Sequence, residues 1–226
     1  MQSYIDSTTL PFLDGYLFRV LVNILRSEGA EASGLYNYYE GRIEEQGRAL
    51  SHYDHILFDY ICEAFDRNER RFVHVGSGAG TLTSALAMAG YRIAGIERDE
   101  GRFRAATCVK SALADAWPAA MQRYDLVFGE FPTALKRTSW LAKDTVLIFT
   151  NCASSWSPTL TESIVASIRG CGDALFDARL FGKIRDSRDE RDALLRQLGA
   201  AGLAATPIVT TPPDAFYHHL RPRIAA

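Results

Sequence analysis

Two features of the sequence have residue types and spacing that could do chemistry. The first is the run Gly76-Ser77-Gly78-Ala79-Gly80, which follows the apolar segment Phe72-Val73-His74-Val75 and precedes Thr81-Leu82-Thr83. A chain leaving a buried strand must reverse sharply here, and glycine adopts positive φ without steric cost. Absent side chains let a ligand approach the backbone, and amides at a helix start favour a negatively charged group. The second is Glu97, which lies 17 residues beyond Gly80 and ends the run Arg92-Ile93-Ala94-Gly95-Ile96. A carboxylate at such a strand end can accept hydrogen bonds from both hydroxyls of a ribose.

The third glycine narrows the choice of ligand. Dinucleotide-binding turns follow G-x-G-x-x-G, with glycine or alanine last. Here the third glycine comes one residue early, and Thr81 stands where that pattern wants a small residue. The departure speaks against a nicotinamide cofactor. Around the loop, short apolar runs alternate with helical stretches. Phe72–Val75, Tyr91–Ile96, Tyr124–Phe128 and Thr145–Thr150 read as strands. Leu82–Ala89, a stretch opening near Asp99, and Thr133–Leu141 read as helices. This alternation predicts an α/β fold, a doubly wound and mainly parallel sheet with helices on both faces.

Further along, Pro158 to about Arg169 reads as a helix, Leu175–Phe181 as a strand, and Asp189–Ala200 as a helix closed by Gly202. Thr206–Thr210 and Ala215–Leu220 are expected to pair antiparallel across Pro212-Pro213-Asp214. Residues 1–70 read as helical. Leu17, Val20, Leu21, Ile24 and Leu25 share one helical face, as do Ile56, Leu57, Tyr60, Ile61 and Phe65, with a further helix over Leu35–Gln46. The expected division is an N-terminal helical cap over residues 1–70 and a Rossmann-like domain over residues 71–226.

The stretch Val73–Glu97, with Gly76-Ser77-Gly78-Ala79-Gly80 and Ile96-Glu97-Arg98-Asp99, resembles the cofactor-binding half of class I S-adenosylmethionine (SAM)-dependent methyltransferases. Tyr124-Asp125-Leu126-Val127-Phe128 looks like their fourth strand, with its opening aromatic–Asp pair. The resemblance spans about Arg71–Thr150 and is nearly silent on the acceptor. It implies SAM as cofactor, held by Gly76, Ser77, Gly78, Gly80, Glu97 and Arg98. It also implies an acid after a third strand to hold the adenine amino group, and Asp115 is the best match. Only 18 positions separate Glu97 from Asp115, which leaves little room for a helix plus a strand. Either the third strand is short or this contact is absent.

On the acceptor side, Gly129-Glu130-Phe131-Pro132 follows a strand at the carboxyl edge, where open α/β sheets bind ligands. It stands in place of the Asn- or Asp-Pro-Pro-aromatic turn found in N-methyltransferases of the family. Glu130 could bind a cation or take a proton, with Phe131 as a pocket wall. Asn151, expected just past a fifth strand, faces the same edge, and its amide can both donate and accept. Tyr36, Tyr38 and Tyr39, followed by His52, Tyr53 and His55, put aromatic faces in the cap, which suits a sulfonium cation. Tyr39 is the candidate among them. Glu130, Asn151 and Tyr39 are thus the candidate catalytic residues. His218 and His219 fall on opposite faces of the last strand, where one could serve as a base.

Composition narrows the function. The 226 residues are 47% hydrophobic and 23% charged, as in a globular protein able to bury a sizeable core. With 25 basic against 27 acidic residues, no broad positive field for nucleic acid is expected. Cys62, Cys108, Cys152 and Cys171 are scattered, and no C-x-x-C or H-E-x-x-H pattern suggests a metal. No run approaches the roughly 20 apolar residues of a membrane span, and Met1–Asp14 lacks a signal-peptide pattern. A cytoplasmic protein without membrane partners is expected. The reading is a SAM-dependent transferase that moves a methyl group to a small molecule by in-line displacement, with a homodimer left open. The alternative within the same fold is attack at the 3-amino-3-carboxypropyl arm, as in nicotianamine synthase-like and azetidine-carboxylate synthase-like enzymes, with release of methylthioadenosine.

Overall fold

The computed structural model describes residues 4–6, 8–27, 47–150, 158–177, 188–208 and 217–223. Its strands are β1 (Arg71–Val75), β2 (Arg92–Glu97), β3 (Tyr124–Phe128), β4 (Thr145–Phe149), β5 (Gly172–Asp177), β6 (Leu203–Pro207) and β7 (Tyr217–Pro222). They form one seven-stranded sheet in the order β3-β2-β1-β4-β5-β7-β6. The β2–β3, β1–β4 and β4–β5 pairs are parallel, and β7 runs antiparallel to both β5 and β6. The doubly wound α/β architecture is the one the alternating pattern predicts, and the last two strands are the expected antiparallel pair. The turn at Pro212-Pro213-Asp214 lies outside the described residues.

Two compact units divide the chain. One comprises the residues through Arg70 together with Ser77–Gly129, the other Arg71–Gly76 together with the residues from Glu130 onward. In the first unit, α1 (Leu10–Ser27) buries Leu10, Leu13, Leu17, Leu21 and Leu25, a stripe at spacings of three and four. Asp14 shares that stripe and is 1% exposed. Its carboxylate accepts from the Ala49 and Leu50 amides at 2.6 and 2.8 Å and lies 2.8 Å from His55 Nε2. A buried carboxylate needs such partners, and these tie α1 to the chain entering α2 (His52–Ala64). Ser51 and Asp54 form a reciprocal capping box that starts α2. At its other end the Tyr91 hydroxyl lies 3.1 Å from the Ile61 and Phe65 carbonyls, next to the start of β2. Burial pushes that phenol up to about 12.

The same unit contains α3 (Thr81–Met88), α4 (Glu100–Ala114) and the short α5 (Pro118–Met121). In the second unit, β4 is buried along its whole length, as a parallel strand covered on both faces must be. It is accompanied by the short α6 (Thr133–Lys136), α7 (Pro158–Cys171) and α8 (Arg188–Ala200).

The strand numbering expected from the resemblance needs correction. Tyr124–Phe128, taken as a fourth strand, is the third, pairing with β2 at the sheet edge. Thr145–Phe149, taken as the fifth, is the fourth and pairs with β1. The reason lies in α4, which runs without a break to Asp115 and leaves no strand between Glu97 and that residue. The apparently missing third strand is therefore β3 itself.

Candidate functional site

The glycine turn is built as its composition requires. Gly76, Gly78 and Gly80 have φ of 72°, 59° and 76°, in the left-handed region that side-chain-bearing residues avoid. Gly80 caps α3 without any side-chain hydrogen bond, so the helix opens on backbone alone. Its amide donates to the Ser77 carbonyl at 3.0 Å, and its carbonyl receives the Ser84 amide at 2.8 Å. The missing side chain at Gly80 has a reason the sequence does not show. A Cβ there would collide with the Tyr124 hydroxyl from β3. That phenol is fully buried, and burial pushes its pKa upward. Ser77 is turned inward: a Cβ on Gly95 of β2 would come within 2.7 Å of Ser77 Oγ. The loop therefore owes part of its small-residue character to packing against β2 and β3.

Glu97 closes the arrangement. Oε2 accepts from the Gly78 amide at 2.9 Å, and Oε1 accepts from the Arg98 and Asp99 amides at 2.8 and 2.9 Å. The strand-end carboxylate is thus stapled to the middle of the glycine turn. Two carboxylate oxygens offer about four acceptor sites in all, so these three bonds leave capacity for another donor. The Glu97 carbonyl receives the Gly129 amide at 3.0 Å, which fixes the exit of β3 beside it.

Next to Glu97 stands an aromatic pair that the sequence reading missed. Phe128 is the register partner of Glu97 and is 55% exposed. Its ring lies 5.2 Å from that of Phe103 on α4, tilted by 55°. The residue signal, an aromatic closing an edge strand, acquires meaning only once β3 is known to neighbour β2. Arg98 follows with an exposed side chain, and Asp99 caps α4 through the Arg102 amide at 2.8 Å. Asp115 is corrected: it is an exposed residue at the C-terminal end of α4, before β3 and not after it.

Glu130 belongs to the second unit. Glu130 is exposed, and its carbonyl accepts from the Ala134 amide at 2.8 Å to start α6. Phe131 is buried, its ring 5.3 Å from that of Phe149 on β4. Asn151 and Tyr39 lie outside the described residues. His219 Nε2 lies 3.1 Å from Asp173 Oδ1, and Arg221 Nε lies 3.3 Å from the same oxygen, which makes His219 part of a buried polar cluster. His74 of β1 places Nε2 2.9 Å from Thr150 Oγ1. Among the described residues no group of three or more His, Cys, Asp or Glu could hold a metal, and no helix is long and apolar enough to cross a membrane.

No protein-family profile matches the sequence, and no curated protein does. Solved structures do. A TehB-like SAM-dependent methyltransferase from Corynebacterium glutamicum superposes with a TM-score of 0.58 at 14% identity, over 85% of this chain and 100% of that one. The glycopeptide N-methyltransferase MtfA, complexed with sinefungin, gives 0.52 at 13% identity over 78% and 95%. The chain has the class I methyltransferase fold. Aeropyrum pernix fibrillarin, with natively bound SAM, matches at 17% identity and a TM-score of 0.47, over 68% of this chain and 65% of that one. Structures bearing RNA-methyltransferase names are among the matches as well.

Within this methyltransferase fold Ser77–Gly80, Glu97 and the Phe103–Phe128 pair all belong to one unit, and Ser77–Gly80, Glu97 and Phe128 sit at the carboxyl ends of strands, where open sheets bind ligands. The residues present suit an adenosyl sulfonium: a carboxylate with spare acceptor capacity for the sugar, an exposed aromatic surface for the base, and a bare helix start for the amino-acid end.

Proposed function

We propose that the protein binds SAM at the Ser77–Gly80 turn and Glu97 and transfers its methyl group to a small-molecule acceptor in the cytoplasm. The observation that carries this reading is the 2.9 Å bond from the Gly78 amide to Glu97 Oε2, which joins turn and strand-end carboxylate into one preformed feature. SAM supplies a methyl carbon already activated by positive sulfur, so that its bond to sulfur breaks as an acceptor lone pair attacks in line. The chain's own task is to hold that carbon at near-attack distance and keep water away. Glu97 is assigned to the ribose hydroxyls, Phe128 and Phe103 to the adenine face, and the α3 amides to the carboxylate of the amino-acid end.

A small acceptor is supported by the balance of 25 basic against 27 acidic residues, too even for a broad field attracting nucleic acid. Cys62, Cys108 and Cys171 are present as thiols and not as disulfides, which suits a reducing compartment. Calorimetry with SAM and S-adenosylhomocysteine tests the binding claim; absence of binding to either sinks it. Mass spectrometry of the nucleoside formed with a library of small amines, phenols and carboxylic acids tests the transfer. S-adenosylhomocysteine with a methylated acceptor is the expected outcome. Methylthioadenosine would instead establish attack at the aminocarboxypropyl arm, and methylation of RNA alone would overturn the small-molecule acceptor.

A further inference from the structure

We propose that His74 is a positioning residue, whose hydrogen bond to Thr150 fixes the carboxyl end of β4 as a surface against which the acceptor is oriented. This inference rests on the transferase reading above. β1 and β4 pair in register up to Val75 and Phe149. Beyond that point the ladder ends, and this edge is where open sheets part to admit ligands. The His74–Thr150 bond, at 2.9 Å, is diagonal, because the register partner of His74 is Ile148. It carries side-chain pairing one step past the last backbone pair.

The cost of placing an imidazole there is an argument for its use. His74 is 4% exposed and sits in a strand whose other buried members are Phe72, Val73 and Val75. A leucine would fill such a site without desolvating a polar ring. Burial lowers the imidazole to about 4, so at neutral pH the ring is uncharged, with one donor and one acceptor nitrogen. A threonine hydroxyl complements either nitrogen. Thr150 is itself 3% exposed, so the bond is screened from water and orients both groups.

Register shows what else faces this pair. His74, Ile148, Leu175 and His219 form one row across β1, β4, β5 and β7. Thr150 and Asp177 stand two residues beyond Ile148 and Leu175 and therefore share that face at the carboxyl edge. Asp173, two residues before Leu175, shares it at the amino edge, where it holds His219. Among the described residues of β1, β4, β5 and β7, the other titratable groups on this face are thus Asp177, Tyr217, His219, Asp173 and Arg221. Asp173 and His219 at the amino edge provide an internal control, as buried as His74 and Thr150 but at the edge away from ligands.

Three substitutions separate a positioning role from a merely structural one. Thr150→Val keeps the shape and removes the hydroxyl, Thr150→Ser keeps the hydroxyl, and His74→Phe removes the imidazole nitrogens. The readouts are SAM affinity by calorimetry and single-turnover formation of the nucleoside product with the acceptor found by the library screen. Thr150→Val and His74→Phe should slow turnover about tenfold or more, the scale of one lost hydrogen bond, with SAM affinity changed less than about twofold. Thr150→Ser should stay near wild-type, the double variant should be no slower than His74→Phe, and Asp173→Asn should leave turnover intact. Full turnover in Thr150→Val, an equal loss in Thr150→Ser, or multiplied losses in the double variant would overturn the proposal. A wild-type protein that binds no SAM overturns the transferase reading and this role with it. A wild-type that turns over while Thr150→Val matches it sinks this role alone.

Discussion

Glu97 accepts three backbone amides and still has capacity for a further donor, so its substitution has two separable effects. Glu97→Gln replaces one acceptor oxygen by a donor that faces amides, and we predict that SAM affinity falls by about 1–3 kcal/mol, the scale of a lost charged hydrogen bond. Calorimetry measures the loss; an unchanged dissociation constant removes Glu97 from the ligand's contacts. The denaturation midpoint should fall as well, because the Gly78 amide loses its acceptor. Gly80→Ala is expected to lower stability whatever it does to SAM binding. It demands positive φ from alanine and drives a methyl group into the Tyr124 hydroxyl, at a cost of about 2–4 kcal/mol. Combining it with Tyr124→Phe should recover part of that stability in urea denaturation, and no recovery would show that the collision is not its source. The glycine run was legible in the sequence because a strand–turn–helix junction has few solutions. That Gly80 makes room for Tyr124, 44 residues along the chain, was not, since only the pairing of β3 with β2 brings the phenol there. Phe128 was hidden for the same reason.

Asp14 shows how elements recruit residues that local pattern misplaces. On the periodicity of α1 it is a polar intrusion in an apolar stripe, and only the docking of residues 49–55 explains it. Asp14→Ala leaves two buried or half-buried amides without an acceptor, and we expect a loss of about 2–4 kcal/mol in denaturation and faster amide exchange at Ala49 and Leu50. Ser51→Ala removes only the capping box and should cost about 1 kcal/mol by the same measurement. Exchange rates at Ala49 and Leu50 that do not change in Asp14→Ala would show that the carboxylate is not what secures them. The elements themselves followed from periodicity, because alternating apolar runs and helical stretches have separate spacings. Their order in the sheet did not. The aromatic–Asp opening of Tyr124–Phe128 suggested the family's fourth strand, yet β3 lies at the sheet edge and exposes Asp125 and Phe128 as an edge strand does. The 18-residue interval between Glu97 and Asp115 already held the correction, since α4 and its cap fill all of it.

Across the whole molecule, stability should be confined on both sides of neutrality by groups that burial holds uncharged. His74 is fully buried and lowered from 6.5 to about 4. Between those values the unfolded chain binds a proton that the folded protein refuses, so stability present above pH 6.5 is lost as the pH falls toward 4. For this one group the loss amounts to about 3 kcal/mol. On the alkaline side the direction reverses. Burial raises the Cys62 and Cys171 thiols from 9.0 to about 11 and the Tyr91 phenol from 10.0 to about 12. These groups stay protonated in the fold while the unfolded chain ionises, so the thiols' stabilisation is complete below pH 9 and lost as the pH rises through about 11, and the phenol's is complete below pH 10 and lost as the pH rises through about 12. Urea midpoints measured from pH 4 to 11 should therefore trace a plateau from about pH 6.5 to about 9, bounded by the unfolded-state values of histidine and cysteine. His74→Phe should flatten the acid limb and leave the alkaline limb in place, whereas Cys62→Ala should make the alkaline limb shallower, with the Cys171 and Tyr91 share retained, and leave the acid limb in place. An acid limb as steep in His74→Phe as in the wild-type protein would assign it to other groups and remove the premise that His74 is held neutral beside Thr150.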